Sequence, residues 1–176
     1  MTKTKAALLM LIAAAAGGCS QDPQSGYTMK NLYLENIHSV AVPMWSRGRD
    51  VYRRDNETRL TEAICKQIEL DTPYKIMDRS RADTLLTGTI ENIVQTTLGS
   101  NPDTGLPREI EINMYISMRW TDLRSGDVLV DRKFNVSATY LPGKPFNEDY
   151  FLGSEDVINR LAAQIVEQME KPYTKG

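Results

Sequence analysis

A single histidine and two cysteines are all that this chain of 176 residues offers to the commonest metal and nucleophile chemistries. His38 stands before a strand-like run without a ligand pattern near it, and no His/Cys cluster has metal-binding spacing. No glycine-rich phosphate loop precedes a helix. Basic charge is not in excess either: 21 Lys and Arg stand against 23 Asp and Glu, which argues against a general nucleic-acid binder. The cysteines are too few for a disulfide framework, and no apolar run reaches the roughly 20 residues that span a bilayer as a helix. Internal repeats are absent. Asp103 and Glu109 flank a turn, where exposed acids ordinarily serve solvation. These absences lead to the expectation of no catalytic residues, no metal and no enzyme activity.

What is present begins at the N-terminus. Met1-Thr-Lys-Thr-Lys5 is basic, residues 6–16 are an eleven-residue apolar run, and Gly17-Gly18-Cys19-Ser20 follows. A basic start, a short apolar centre and small residues before a cleavage point make a secretory signal over 1–18. The junction Ala16-Gly17-Gly18-Cys19 resembles a bacterial lipobox, with Ala16 where leucine is usual. Its cysteine would carry a diacylglycerol and an N-acyl chain; no other cofactor is expected. Loss of Lys3 and Lys5 with the leader leaves a formal net charge of −4. Residues 19–32 read as a lipidated N-terminus and polar tether, 33–171 as one folded domain, and 172–176 as a tail.

The domain alternates clear signals. Residues 37–45 predict a strand with Val40, Val42 and Met44 on one face and Pro43 interrupting. A basic loop with Arg47, Arg49, Arg53 and Arg54 follows. A helix is predicted over 56–70, capped by Asp55 or Asn56, with Leu60, Ala63, Ile64, Gln67 and Ile68 at helical spacing. Cys65 lies beside that stripe and reads as a small buried hydrophobe. Thr72-Pro73 stops the helix, and 74–77 is a short strand. Residues 84–98 alternate imperfectly, Gly88 marking a bulge or a close backbone approach. Asn101 to Pro107 is turn chemistry. Over 108–120 the alternation is six on six: Ile110, Ile112, Met114, Ile116, Met118 and Trp120 against Glu109, Glu111, Asn113, Tyr115, Ser117 and Arg119. A further turn leads into 128–140, with Val128, Val130, Phe134, Val136 and Ala138 on one face. After a loop over 141–153, the last helix is predicted from Ser154 to before Pro172, with Glu155 and Asp156 in its first turn.

The order is β-α-β-β-β-β-α. Two helices must each bury an apolar stripe, and the sheet's apolar face is the only surface large enough to take both. The expected fold class is α+β: a two-layer sandwich, both helices on one face of a mainly antiparallel sheet, its other face polar.

With the Cys19 lipobox, the Gly26-Tyr27 pair, the strand–helix order and the long central hairpin in view, residues 19 to 171 resemble the LptE-type lipopolysaccharide-assembly lipoproteins. Leu60-Thr-Glu-Ala-Ile64, Leu86-Thr-Gly-Thr-Ile90 and Thr104-Gly-Leu-Pro-Arg-Glu109 carry the likeness. It implies an outer-membrane, lipid-anchored protein facing the periplasm, a plug in an LptD-type β-barrel that helps that barrel assemble and passes lipopolysaccharide to the cell surface. Ser20 is similar to the pattern of lipoproteins sorted outward. In that family, basic residues at the hairpin tip and before the last helix bind lipopolysaccharide; their counterparts by region are Arg108 and Lys144. Asp83-Thr-Leu-Leu-Thr-Gly-Thr-Ile90 after a strand–helix–strand also resembles CsgG-type secretion-channel lipoproteins, which form rings. A third reading, a binder of a small envelope ligand, requires a deep apolar pocket.

Overall fold

The computed structural model describes residues 33–49, 51–143 and 149–170. The leader, the tether with Cys19, the tail and Lys144 lie outside them. The elements are β1 (Ser39–Ala41), β2 (Ser46–Arg47), α1 (Asn56–Asp71), β3 (Lys75–Ile76), β4 (Thr84–Ser100), β5 (Pro107–Asp122), β6 (Val128–Tyr140) and α2 (Tyr150–Glu167). The sheet order is β3-β1-β4-β5-β6, with β2 also on the edge of β4. The two hairpins of β4, β5 and β6 are antiparallel, whereas β1 and β2 run parallel to β4 and β1 parallel to β3. The α+β sandwich holds, its sheet mixed at one end, where α1 makes the crossover that parallel strands require.

Strand β5 organises the core. Ile112, Met114, Ile116, Met118 and Trp120 are all buried, and the expected polar partners lie on the other face. The methionine stripe is core. Helix α1 buries Leu60, Ile64 and Ile68 against this layer, and α2 buries Val157, Ile158, Leu161, Ala162 and Ile165. On the opposite face polar groups pair across strands: Ser117 Oγ donates to Glu91 at 2.7 Å, Arg119 bonds Asp131 at 2.7 Å, and Asn135 donates to Asn113 at 2.9 Å.

Four local expectations change, each for a packing reason. The strand expected over 37–45 is broken. β1 pairs Ala41 with Leu85, β2 pairs Ser46 with Thr89, and the chain between spends one residue more than β4 does. Pro43, which cannot donate to a ladder, sits in that gap and resets the phase. Met44, expected inside, is therefore 59% exposed, while Trp45 is 2% exposed. Its ring lies over Gly88, where a Cβ would come within 2.4 Å. Gly88 is thus the close approach, and the first of three irregularities in β4 falls between Ile90 and Asn92, which lets both Ile90 and Ile93 pair with core-facing residues of β5. In β6 a register shift moves Val128 off the expected face, leaving it 53% exposed.

Helix α2 starts at Tyr150, not Ser154. Asp149 caps it by accepting from the Leu152 amide at 3.0 Å, so Glu155 and Asp156 fall beyond the first turn. Gly153, the last residue of the loop expected over 141–153, lies within the helix and lets α2 approach the Tyr140 ring, which a Cβ would meet at 2.6 Å. Helix α1 has Asp55 as N-cap, as expected, but with φ +76° and no side-chain cap bond.

The start of β1 is tied to β4 by one carboxylate. Asp83 Oδ2 accepts from the amides of His38 (3.0 Å) and Ser39 (3.1 Å) and from Ser39 Oγ (3.0 Å). The His38 amide bond most of all holds its pKa below the ordinary carboxylate value, with Ser39 and the nearby Arg124 adding to it. A depressed folded-state pKa contributes stability above the unfolded value, about 3.9, that is lost as pH falls through the folded one. Chemical unfolding monitored by tryptophan fluorescence should therefore show stability declining below about pH 4, and Asp83→Asn should flatten that decline. In the same assay Gly88→Ala should cost about 1–3 kcal/mol through overpacking, because Trp45 and the Ser117 carbonyl both stand in the way.

Candidate functional site

The turn that ends the β4–β5 hairpin is rigidly built. Asn101 Oδ1 accepts from the Asp103 amide at 2.9 Å, the Gly105 amide donates to Asn101 O at 2.8 Å, and the Asn101 amide donates to Leu106 O at 2.8 Å. Gly105 has φ +69°, a conformation that glycine takes without strain. This closure places Leu106 on the outside, 65% exposed, and starts β5 at Pro107. The chain leaving β6 returns to the same place: a Cβ on Gly143 would lie 3.5 Å from Pro107 O and 3.7 Å from Arg108 Cα.

Between these segments lies a cleft of about 560 Å³, lined mainly by Leu106, Pro107, Ile110, Pro142 and Gly143, with Arg108 among them. Arg108 is exposed and makes no ion pair among the described residues. An apolar cleft with a cation on its wall suits an amphiphile: hydrocarbon can leave water while an anionic group meets the guanidinium. Lys144, the other cation expected from sequence, lies outside the described residues. Leu106 and Pro142-Gly143 were not expected in the cleft; their turn chemistry gives no sign that two loops 36 residues apart meet.

Other groups weighed in the sequence fall elsewhere. The side chain of Asp103 is exposed in the turn. Cys65 is half-buried on α1, and burial, then Glu69 and Glu62, pushes its thiol pKa up, away from the thiolate that chemistry requires. Among the described residues no three His, Cys, Asp or Glu side chains stand close enough to hold a metal, and no helix is long and apolar enough to cross a membrane.

No family model and no curated protein matches the sequence. Solved structures do match in fold. An uncharacterized lipoprotein B from Nitrosomonas europaea aligns with TM-score 0.51 at 12% identity, over 74% of this chain and 80% of that one. A protein of the DUF330 family from Xanthomonas campestris aligns with TM-score 0.51 at 12% identity, over 74% and 81%. The PelC dodecamer of Paraburkholderia phytofirmans aligns with TM-score 0.50 at 14% identity, over 79% and 93%. The chain has a fold used by bacterial lipoproteins. At these identities the likeness is one of fold alone.

Titration with anionic and nonionic amphiphiles of equal chain length tests the cleft. Arg108→Gln should weaken the anionic one about fivefold, an exposed ion pair being worth up to about 1 kcal/mol, and leave the nonionic one unchanged. Leu106→Asp should weaken both.

Proposed function

We propose that the protein is an outer-membrane lipoprotein, non-enzymatic, that occupies an LptD-type β-barrel and takes part in delivering lipopolysaccharide to the cell surface. The observation that carries this reading is Arg108 on the wall of an apolar cleft at the hairpin tip, the region where the resembling family handles its amphiphilic ligand. Lipopolysaccharide has the matching chemistry, acyl chains beside phosphates. Three further features support the reading. The expected leader over 1–18 is followed directly by Cys19, the fold is one used by lipoproteins, and the uncovered sheet face is polar and cross-linked by Arg119–Asp131 and Asn135–Asn113. A barrel lumen is polar, so a plug has to present such a surface.

The test is a pull-down of the tagged, lipidated protein from detergent-solubilised envelope. A large β-barrel at one-to-one stoichiometry is expected, and its recovery together with lipopolysaccharide should fall for Arg108→Glu combined with Lys144→Glu. Cys19→Ser should move the protein from the membrane to the soluble fraction in a folded state. Recovery in the membrane fraction despite that change would remove the lipid anchor from the account.

A second reading rests on one specific observation: PelC, of the same fold, is a dodecamer. A homo-oligomeric subunit of a secretion channel or other envelope complex would then be the function. Native mass spectrometry separates the two, a ring giving a multiple of the protomer mass and a plug a heterodimer with its barrel.

A further inference from the structure

The basic loop before α1 has no part in the reading above, yet the fold gathers its arginines with care. Arg47 is committed to Glu57, 3.7 Å away. Arg53 and Arg54 instead line a second cleft, of about 470 Å³, together with Arg59 from the first turns of α1. The far wall comes from α2, more than 90 residues on: the Arg53 guanidinium lies over the Tyr150 ring at 3.8 Å, and that of Arg59 over the Phe151 ring at 4.0 Å. Arg59 is fixed further by donating to Ser154 Oγ at 2.9 Å and to Phe151 O at 3.3 Å. Asn56 Nδ2 ties the two walls by donating to the Tyr150 hydroxyl at 3.3 Å.

Stacking occupies the face of a guanidinium and leaves its N–H edge available, although at Arg59 two of the five donors are already spent on Ser154 and Phe151. Among the described residues none of the three arginines forms an ion pair, in a chain whose acids outnumber its bases. The carboxylates in the cleft, Asp55 and Asp149, are the N-cap residues of the two helices. Asp149 is engaged with the Leu152 amide. Asp55 holds φ +76°, a conformation that costs a non-glycine residue energy and turns the chain so that Arg53 and Arg54 precede the helix at the cleft.

We propose that this cleft binds a phosphate group through Arg53, Arg54 and Arg59. Several forked donors exceed what one carboxylate accepts, whereas a phosphate monoester offers three strong acceptor oxygens and close to two charges. The cleft exceeds the volume of the ion, so it has room for the group that carries the phosphate. That carrier is either a soluble ester, such as a sugar phosphate, or a lipid headgroup. The site shares no residue with the Arg108 cleft and does not rest on the barrel reading.

The test is calorimetric titration of the full-length chain in nonionic detergent with inorganic phosphate, a glucose phosphate and dihexanoyl phosphatidic acid, glucose serving as control. Saturable binding of phosphate or the glucose phosphate assigns a soluble ester; binding of phosphatidic acid alone assigns a headgroup. In either case Arg53→Gln combined with Arg54→Gln should weaken binding by about tenfold or more. Arg59→Lys, which keeps charge but loses the fork, should also weaken it, and Arg79→Gln on the distant polar corner should not. Arg53 and Arg54 are exposed, so the double variant should keep the parent's unfolding midpoint. Absence of saturable binding to all three phosphates, or equal binding by the double variant, overturns the proposal. Neither result touches the pull-down, whose outcome depends on the barrel.

Discussion

From Ile110 to Trp120, strand β5 has one face made only of isoleucine, methionine and tryptophan, and in water that face has to be covered. Burying such a surface stabilises by about 25 cal/mol per Å², and β5 is the strand with neighbours on both sides along its length. Its cover has to come from elements that are themselves one-sided. The stripes Leu60-Ile64-Ile68 and Val157-Leu161-Ile165 meet that need. Both helices therefore settle on the same side, and the polar side of the sheet is left for water or a partner. The two-layer form, the rigid hairpin and the exposed polar face all descend from that one strand.

Covering β5 sets conditions on its neighbours. A strand that must stay in phase with a buried face cannot keep strict alternation through a proline or a curved ladder. The chain resets its phase at Pro43, at the bulge after Ile90 and at the start of β6. Each reset trades one unpaired residue for a large side chain placed inward: Trp45 in the first case, Ile93 in the second, Val130 in the third. Trp45 in turn requires Gly88, and α2 requires Gly153 for the same reason against Tyr140. These two glycines are packing residues, and their neighbours explain them better than any turn does.

The charge distribution follows a different logic. The chain is acidic overall, yet Arg108 stands without an ion pair at the hairpin tip and Arg53, Arg54 and Arg59 gather where helices α1 and α2 begin. Of the other described arginines, Arg119 is matched with Asp131, Arg124 with Asp122 and Arg160 with Asp156, while Arg49, Arg79 and Arg132 form no ion pair among the described residues. Exposed pairs of that kind add little stability. The two clefts place guanidinium groups without ion pairs on a chain of negative net charge, which is a basis for selecting anionic ligands.

By itself the sequence determined what depends on near neighbours. The period-two pattern over 108–120, the stripes at three- and four-residue spacing, the stop at Thr72-Pro73 and the turn at Asn101–Gly105 are local, and so was the rule that two one-sided helices need one apolar sheet face. Arg108 stands out only through the resemblance to the LptE type, which points to the tip of a hairpin that turn residues between alternating runs make visible. Only the tertiary structure decided the parallel pairing of β1 and β2 with β4, the inversion of Met44 and Trp45, and the start of α2 at Tyr150. The first two turn on contacts between residues dozens of positions apart, and the third on the Asp149 cap together with the packing of Gly153 against Tyr140. The clefts belong to that second class. The apolar wall around Arg108 needs Pro142-Gly143 brought back to Pro107, and the arginine cleft needs Tyr150 and Phe151 set against Arg53 and Arg59. Chain closure of that kind is fixed by the packing of the whole core, and no window of sequence contains it.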